Sequence, residues 1–79
     1  MSSIQADAEL DCRGMLCPIP VAKTAKAIKT IDVGQVLKMI ATDPGAPPDM
    51  DAWSKQTGHE MLESTEDNGE FIFYFRRRK

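Results

Sequence analysis

The hydrophobic and polar positions of this chain change period several times, and each change marks an element. Ala8, Leu10 and Cys12 alternate with Glu9, Asp11 and Arg13, the period-two pattern of a half-buried strand, which stops at Gly14. From Pro18 the period lengthens: Val21, Ala22, Ala25 and Ile28 recur at helical spacing, with Lys23, Lys26 and Lys29 on another face, until the Asp32-Val33-Gly34 turn. Val36 to Thr42 is a mostly apolar run between Gly34 and Asp43-Pro44-Gly45, which predicts a central strand. Ala46-Pro47-Pro48-Asp49 opens a second helix, because proline belongs in a first turn and Asp49 and Asp51 oppose the positive end of the helix dipole. Met50, Trp53 and Thr57 share its inward face, and Gly58 stops it. His59 to Glu66 and Glu70 to Arg77 flank Asp67-Asn68-Gly69, whose Asn-Gly pair predicts a tight hairpin. Within the last strand Phe71, Phe73 and Phe75 point to the core, and Ile72 and Tyr74 to the opposite, exposed face.

The order strand, helix, strand, helix, strand, strand predicts an α+β fold: a two-layer sandwich, with both helices on one face of a four-stranded mixed sheet. At 79 residues the expectation is one domain, 1–79, with a single small core. Net charge is only −2, so no strong field selects a partner class. No apolar run nears the roughly 20 residues that span a bilayer, and the first eleven residues do not resemble a signal peptide, so a cytoplasmic protein without membrane contact is expected.

Cys12 and Cys17 stand five positions apart, too close for a bridge between them to add much stability. In a reducing compartment such a pair points to thiol chemistry or metal binding. With His59 as the sole imidazole, a four-ligand metal site is not expected. Cys17 is the more informative thiol, since it sits in Leu16-Cys17-Pro18-Ile19-Pro20. Proline suits the first helical position, so Pro18 predicts Cys17 as the N-cap and Pro20 as the third helical residue, leaving the amides of Ile19 and Val21 to face a sulfur anion. A helix N-terminus carries roughly half a positive elementary charge and favours the thiolate, which is the nucleophilic form.

The stretch from Leu10 to Pro20, Leu-Asp-Cys-Arg-Gly-Met-Leu-Cys-Pro-Ile-Pro, resembles the signature of the TusA/SirA family of small sulfur-carrier proteins, a Cys-Pro-x-Pro run after an L-D-x-R-G strand end. The Val33-Gly34 turn, the Ala41-Thr42-Asp43-Pro44-Gly45 strand exit, the Trp53 helix and Lys55-Gln56-Thr57-Gly58-His59-Glu60 are similar to later landmarks of the same family, so the resemblance runs from about Leu10 to Arg77. It implies that Cys17 takes a sulfane sulfur as a persulfide from a cysteine desulfurase or rhodanese-like donor and passes it to an acceptor protein. The destinations implied are tRNA thiolation, molybdenum-cofactor supply or sulfur oxidation, with no cofactor on the carrier itself. The residues agree: the chain has no second histidine, no serine with a base at recognisable spacing and no phosphate-binding glycine run. Such a chain carries a reactive group and leaves bond-making largely to partners.

Other residues keep two readings. Cys12 is either a small packed hydrophobe or a resolving thiol for Cys17. Arg13 and Lys23, with Lys26 and Lys29 behind them, either steer an acidic donor and stabilise the persulfide anion or form a solvated face. Met15 and Leu16 form a docking patch or tuck beneath the helix. His59 reads as structural, and Trp53 with the three phenylalanines as core. Arg76-Arg77-Arg78-Lys79 reads as a frayed, solubilising tail; given the acidic stretch from Asp43 to Glu70, no direct nucleic-acid contact is expected. Two further functions compete with the carrier: a Cys12–Cys17 thiol-disulfide switch, and a regulatory interaction module.

Overall fold

The computed structural model describes residues 4–16 and 18–79. In chain order the elements are β1 (Ala8–Cys12), α1 (Ile19–Ala27) continued by a 3-10 turn (Ile28–Thr30), β2 (Val36–Ala41), α2 (Ala46–Thr57), β3 (Glu60–Asp67) and β4 (Glu70–Arg76). The strands form one sheet in the order β1-β2-β4-β3. β1 and β2 run parallel, a pairing that needs a crossover, which α1 supplies; β2–β4 and β4–β3 are antiparallel. The predicted βαβαββ sandwich is the fold observed.

Register decides which side chains meet. Leu10, Met39 and Phe73 form one row across β1, β2 and β4; Ala8, Leu37 and Phe75 form the next, and Cys12, Ala41 and Phe71 a third. These rows face the helices, where Ile28 and Ile31 after α1 and Ala46, Met50 and Trp53 of α2 close the core. Phe73 and Phe75 stack with centroids 6.0 Å apart, and Trp53 meets Phe75 edge-on at 5.1 Å. The β3–β4 turn is of the type its sequence predicts, with Asn68 and Gly69 both left-handed (φ 50° and 80°).

Several expectations are corrected. On α1 the inward stripe is Pro20, Thr24 and Ile28, flanked by half-buried Val21 and Ala25, whereas Ala22 is exposed. Thr24 is tolerated inside because its hydroxyl donates to the Pro20 carbonyl at 2.7 Å, within its own helix. Asp51 lies beyond the first turn of α2 and pairs with Lys55 at 3.0 Å, leaving Asp49 as the residue that meets the dipole. Tyr74 does occupy the helix-free face, yet it is buried; Lys38 lies 6.0 Å from its ring centroid and pairs with Glu9 at 3.4 Å.

The C-terminal tail is not frayed. Gly34 and Arg77 exchange backbone bonds with the β2 entry, Gly34 N–H to Arg77 O at 2.7 Å and Arg77 N–H to Gln35 O at 2.9 Å. The Arg77 guanidinium donates to the carbonyls of Ile31 and Lys29, which satisfies acceptors left over where α1 ends. Arg78 donates its backbone N–H to His59 Nδ1 at 3.1 Å and pairs with Glu60 at 2.8 Å. Charged side chains read as solvated thus close one end of the sandwich.

Two predictions follow from the packing. Replacing the fully buried Phe73 by Ala lowers stability by about 3–5 kcal/mol in urea unfolding, because a large cavity opens in the core row it shares with Leu10 and Met39. The second concerns His59, whose pKa is lowered by burial and by the nearby Arg77 and Lys79 charges. The unfolded state therefore binds a proton that the folded state resists. The stability tied to neutral His59 is complete above the ordinary imidazole pKa of about 6.5 and is lost as pH falls below it toward the depressed folded value. Urea midpoints should drop between about pH 7 and pH 5 in the native protein and drop less in His59→Gln, which keeps an acceptor without titrating.

Candidate functional site

The strand-to-helix junction that leads to α1 is built from short local contacts. Asp11, at the end of β1, accepts three bonds from Arg13: the backbone N–H at 2.9 Å, Nε at 3.0 Å and Nη2 at 2.9 Å. Arg13 also reaches Glu70 at the start of β4, at 3.4 Å. The Asp11 carboxyl is held down to about 2, first by the Arg13 side-chain hydrogen bonds and then by its backbone N–H, although the group is exposed. Arg13 is raised by the same contacts. Arg13 is thus an anchor of the loop, engaged by two carboxylates.

The chain next turns away from the sheet. Gly14 adopts φ 79°, a conformation that glycine takes without strain, and donates its N–H to Thr42 Oγ1 at 2.9 Å. Met15 donates its N–H to the Cys12 carbonyl at 3.2 Å. Thr42 belongs to the Ala41–Gly45 strand exit, and its hydroxyl acts on the loop only because β2 ends beside β1.

Cys17, the nucleophile expected from the sequence, lies outside the described residues. Its neighbours define the junction. Leu16 is 70% exposed and Ile19 48% exposed, whereas Met15 packs partly against the core, so the two apolar residues before the thiol divide between the two readings. The helix starts one residue later than expected: the N-cap is Pro18 (φ −94°, ψ 18°), with no side-chain cap, and Pro20 is the second helical residue. The physical reason is a local turn. The Ile19 N–H, expected to face the sulfur, donates instead to the Leu16 carbonyl at 3.0 Å, and the first helical bond runs from Ala22 N–H to Pro18 O at 3.1 Å. No acidic residue stands in the first turn of α1. From Arg13 to Ile31 every charged side chain is a cation.

Cys12 is fully buried in the third core row, and its thiol pKa is pushed up, mainly by burial, with Lys23 opposing the shift and Asp11 adding to it. A resolving role would require the end of β1 to leave the sheet. Lys23, Lys26 and Lys29 are exposed and form no ion pair among the described residues. His59 is tied to the tail and lies 5.5 Å from the Trp53 ring. Among the described residues no group of three or more His, Cys, Asp or Glu could hold a metal ion, and no helix is long and apolar enough to cross a membrane.

Architecture and junction together define a class: a small two-layer α/β protein whose first strand leads through a proline-rich cysteine segment into a helix with no acidic residue in its first turn. The sequence profile of the family described as sulfurtransferase TusA matches residues 8–77, and the chain belongs to that family. It is 46% identical over 71 residues to a sulfur carrier protein TusA from Allochromatium vinosum, covering 90% of this chain and 93% of the relative. It is 44% identical over 75 residues to a putative sulfur carrier protein, YrkF, from Bacillus subtilis, covering 95% of this chain but 40% of that longer relative. Among solved structures, a SirA-like protein from Desulfitobacterium hafniense superposes with a TM-score of 0.78 at 22% identity, over 91% of this chain and 99% of that one, a likeness of fold.

The Asp11–Arg13 clamp yields a prediction with a defined sign. Its folded carboxyl pKa lies below the unfolded value, so its contribution is complete above about 3.8 and is lost as pH falls through about 2. In Arg13→Ala the Asp11 carboxyl should titrate near its ordinary value in NMR, and the Gly14 amide should exchange faster as the loop loosens.

Proposed function

We propose that this protein is a cytoplasmic sulfur carrier that takes a sulfane sulfur onto Cys17 from a cysteine desulfurase or rhodanese-like donor and hands it to an acceptor protein. The observation that carries this reading is the junction itself: the family-signature segment around Cys17, with Leu16 and Ile19 exposed, leads into a helix whose first turn holds no acidic residue and whose charged side chains are all lysines. Positive surroundings favour the Cys17 thiolate and the persulfide anion that replaces it. In loading, the thiolate attacks the outer sulfur of the donor persulfide; a new S–S bond forms on Cys17 as the donor S–S bond breaks, and the donor leaves as a thiolate. Unloading repeats the exchange with the acceptor as nucleophile, so the carrier returns unchanged.

Burial of Cys12 supports a single working sulfur over a two-cysteine switch, because thiol exchange requires an accessible thiolate. Incubation with a cysteine desulfurase and cysteine, followed by intact and peptide mass spectrometry, should show a reductant-labile gain of one sulfur atom on Cys17. Cys17→Ser should lose it and Cys12→Ser should keep it. A Cys12–Cys17 disulfide without added sulfur would replace the carrier reading with the redox switch.

A further inference from the structure

The sheet face turned away from the helices holds a groove of about 420 Å³, lined by Lys38, Glu63, Thr65, Asp67, Ile72 and Tyr74. Register builds it: Lys38, Tyr74 and Glu63 form one row across β2, β4 and β3, and Ile40, Ile72 and Thr65 form the next. Glu63 reaches its row through a bulge. The pairing shifts between Met61 and Glu63, so that Glu63, and not Leu62, stands opposite Tyr74, and a bulge is a way of re-aiming a side chain. The Glu63 Oε2 is buried, yet it has no hydrogen-bond partner among the described residues. A folded chain rarely leaves a buried acceptor in that state, because the water it gave up is not replaced. Other carboxylates of the sheet are matched: Glu9 by Lys38 at 3.4 Å, Asp11 and Glu70 by Arg13, and Glu60 by Arg76 and Arg78. Glu63 and Asp67 form no ion pair among the described residues, and Lys38 beside them is taken by Glu9.

We propose that this groove binds a lysine or arginine side chain on a basic segment of another protein, with the cationic head donating to Glu63 and Asp67 and the aliphatic stem lying against Ile72 and Tyr74. Charge complementarity calls for a cation, since both carboxylates lack one in this chain. The apolar part of the lining selects which cation. Ile72 and Tyr74 suit the stem of a long cationic side chain and offer nothing to a bare ion, and among the described residues no group of three or more His, Cys, Asp or Glu could hold a metal. Nucleic acid would bring phosphates, which unpaired carboxylates repel. The inference does not rest on the carrier reading. Both helices pack on the other face of the sheet, so a partner held in this groove leaves α1 and the segment before it uncovered.

The test uses a fluorescently labelled short peptide in which arginine alternates with leucine, and the same peptide with glutamate in place of arginine. Anisotropy compares the native protein with Glu63→Gln/Asp67→Asn and with Asp32→Asn/Asp51→Asn, which makes the same change of charge at residues that do not line the groove. The arginine peptide should bind the native and control proteins alike and the groove variant at least about tenfold more weakly, the loss expected when charge-assisted hydrogen bonds are removed. In NMR of the native protein, which needs no variant to fold, the peptide should shift the amides of Glu63, Thr65, Ile72 and Tyr74 and leave those of α1 and α2 in place. Equal weakening in both variants, or shifts confined to other surfaces, would overturn the site by reducing the attraction to overall charge. Binding of the glutamate peptide as tight as that of the arginine peptide would overturn it too, as would no binding of the arginine peptide at about 1 mM. Self-association of the native chain that disappears in Glu63→Gln/Asp67→Asn would give the groove to a second copy and overturn the partner proposed.

Discussion

The structure depends on one constraint: the main apolar face of the four-stranded sheet must be covered by two short helices at once. The row Leu10, Met39, Phe73 runs through the middle of the buried layer, and the Phe75–Trp53 contact joins the sheet to α2. A slip of one residue in β4 would turn Phe73 and Phe75 to the side occupied by Lys38 and Tyr74. With register fixed in this way, the end of β1 has one position relative to β2 and β4, and that position delivers the chain to the thiol junction.

The junction uses the sheet as a mount. Arg13 ties the end of β1 to the start of β4 through Asp11 and Glu70, and Thr42, just past β2, holds the Gly14 amide. The loop therefore leaves the sheet from contacts spread over three neighbouring strand ends. Arg13, the cation nearest the Cys17 segment in sequence, is engaged by these two carboxylates, whereas Lys23, Lys26 and Lys29 form no ion pair among the described residues. Anchoring and electrostatics are divided between residues that sequence alone would group together.

Thiol placement follows the same economy. Cys12 lies inside the core, where burial raises its thiol pKa, while the described neighbours of Cys17 in the chain, Leu16 and Pro18, are exposed. The turn at Gly14 takes the chain out of the sheet between the two cysteines, which stand five residues apart. A carrier benefits from that separation, since a second accessible thiol would draw the sulfane sulfur away or trap the first as a disulfide.

The sequence by itself determined the element order, the sheet face carried by the phenylalanines, the Asn68-Gly69 turn and the family signature around Cys17. These are properties of local spacing and backbone preference, which act within a few residues. Tertiary structure decided what depends on distant partners. It buried Thr24 in place of Ala22, because the hydroxyl is satisfied inside its own helix while the sheet selects the stripe that fits. It also recruited Arg77 and Arg78 to carbonyls and a carboxylate far away in sequence, which no run of like charges reveals. Patterns of period two and 3.6 report burial along one element, whereas hydrogen bonds between elements depend on how those elements meet, and that is set only when the core closes.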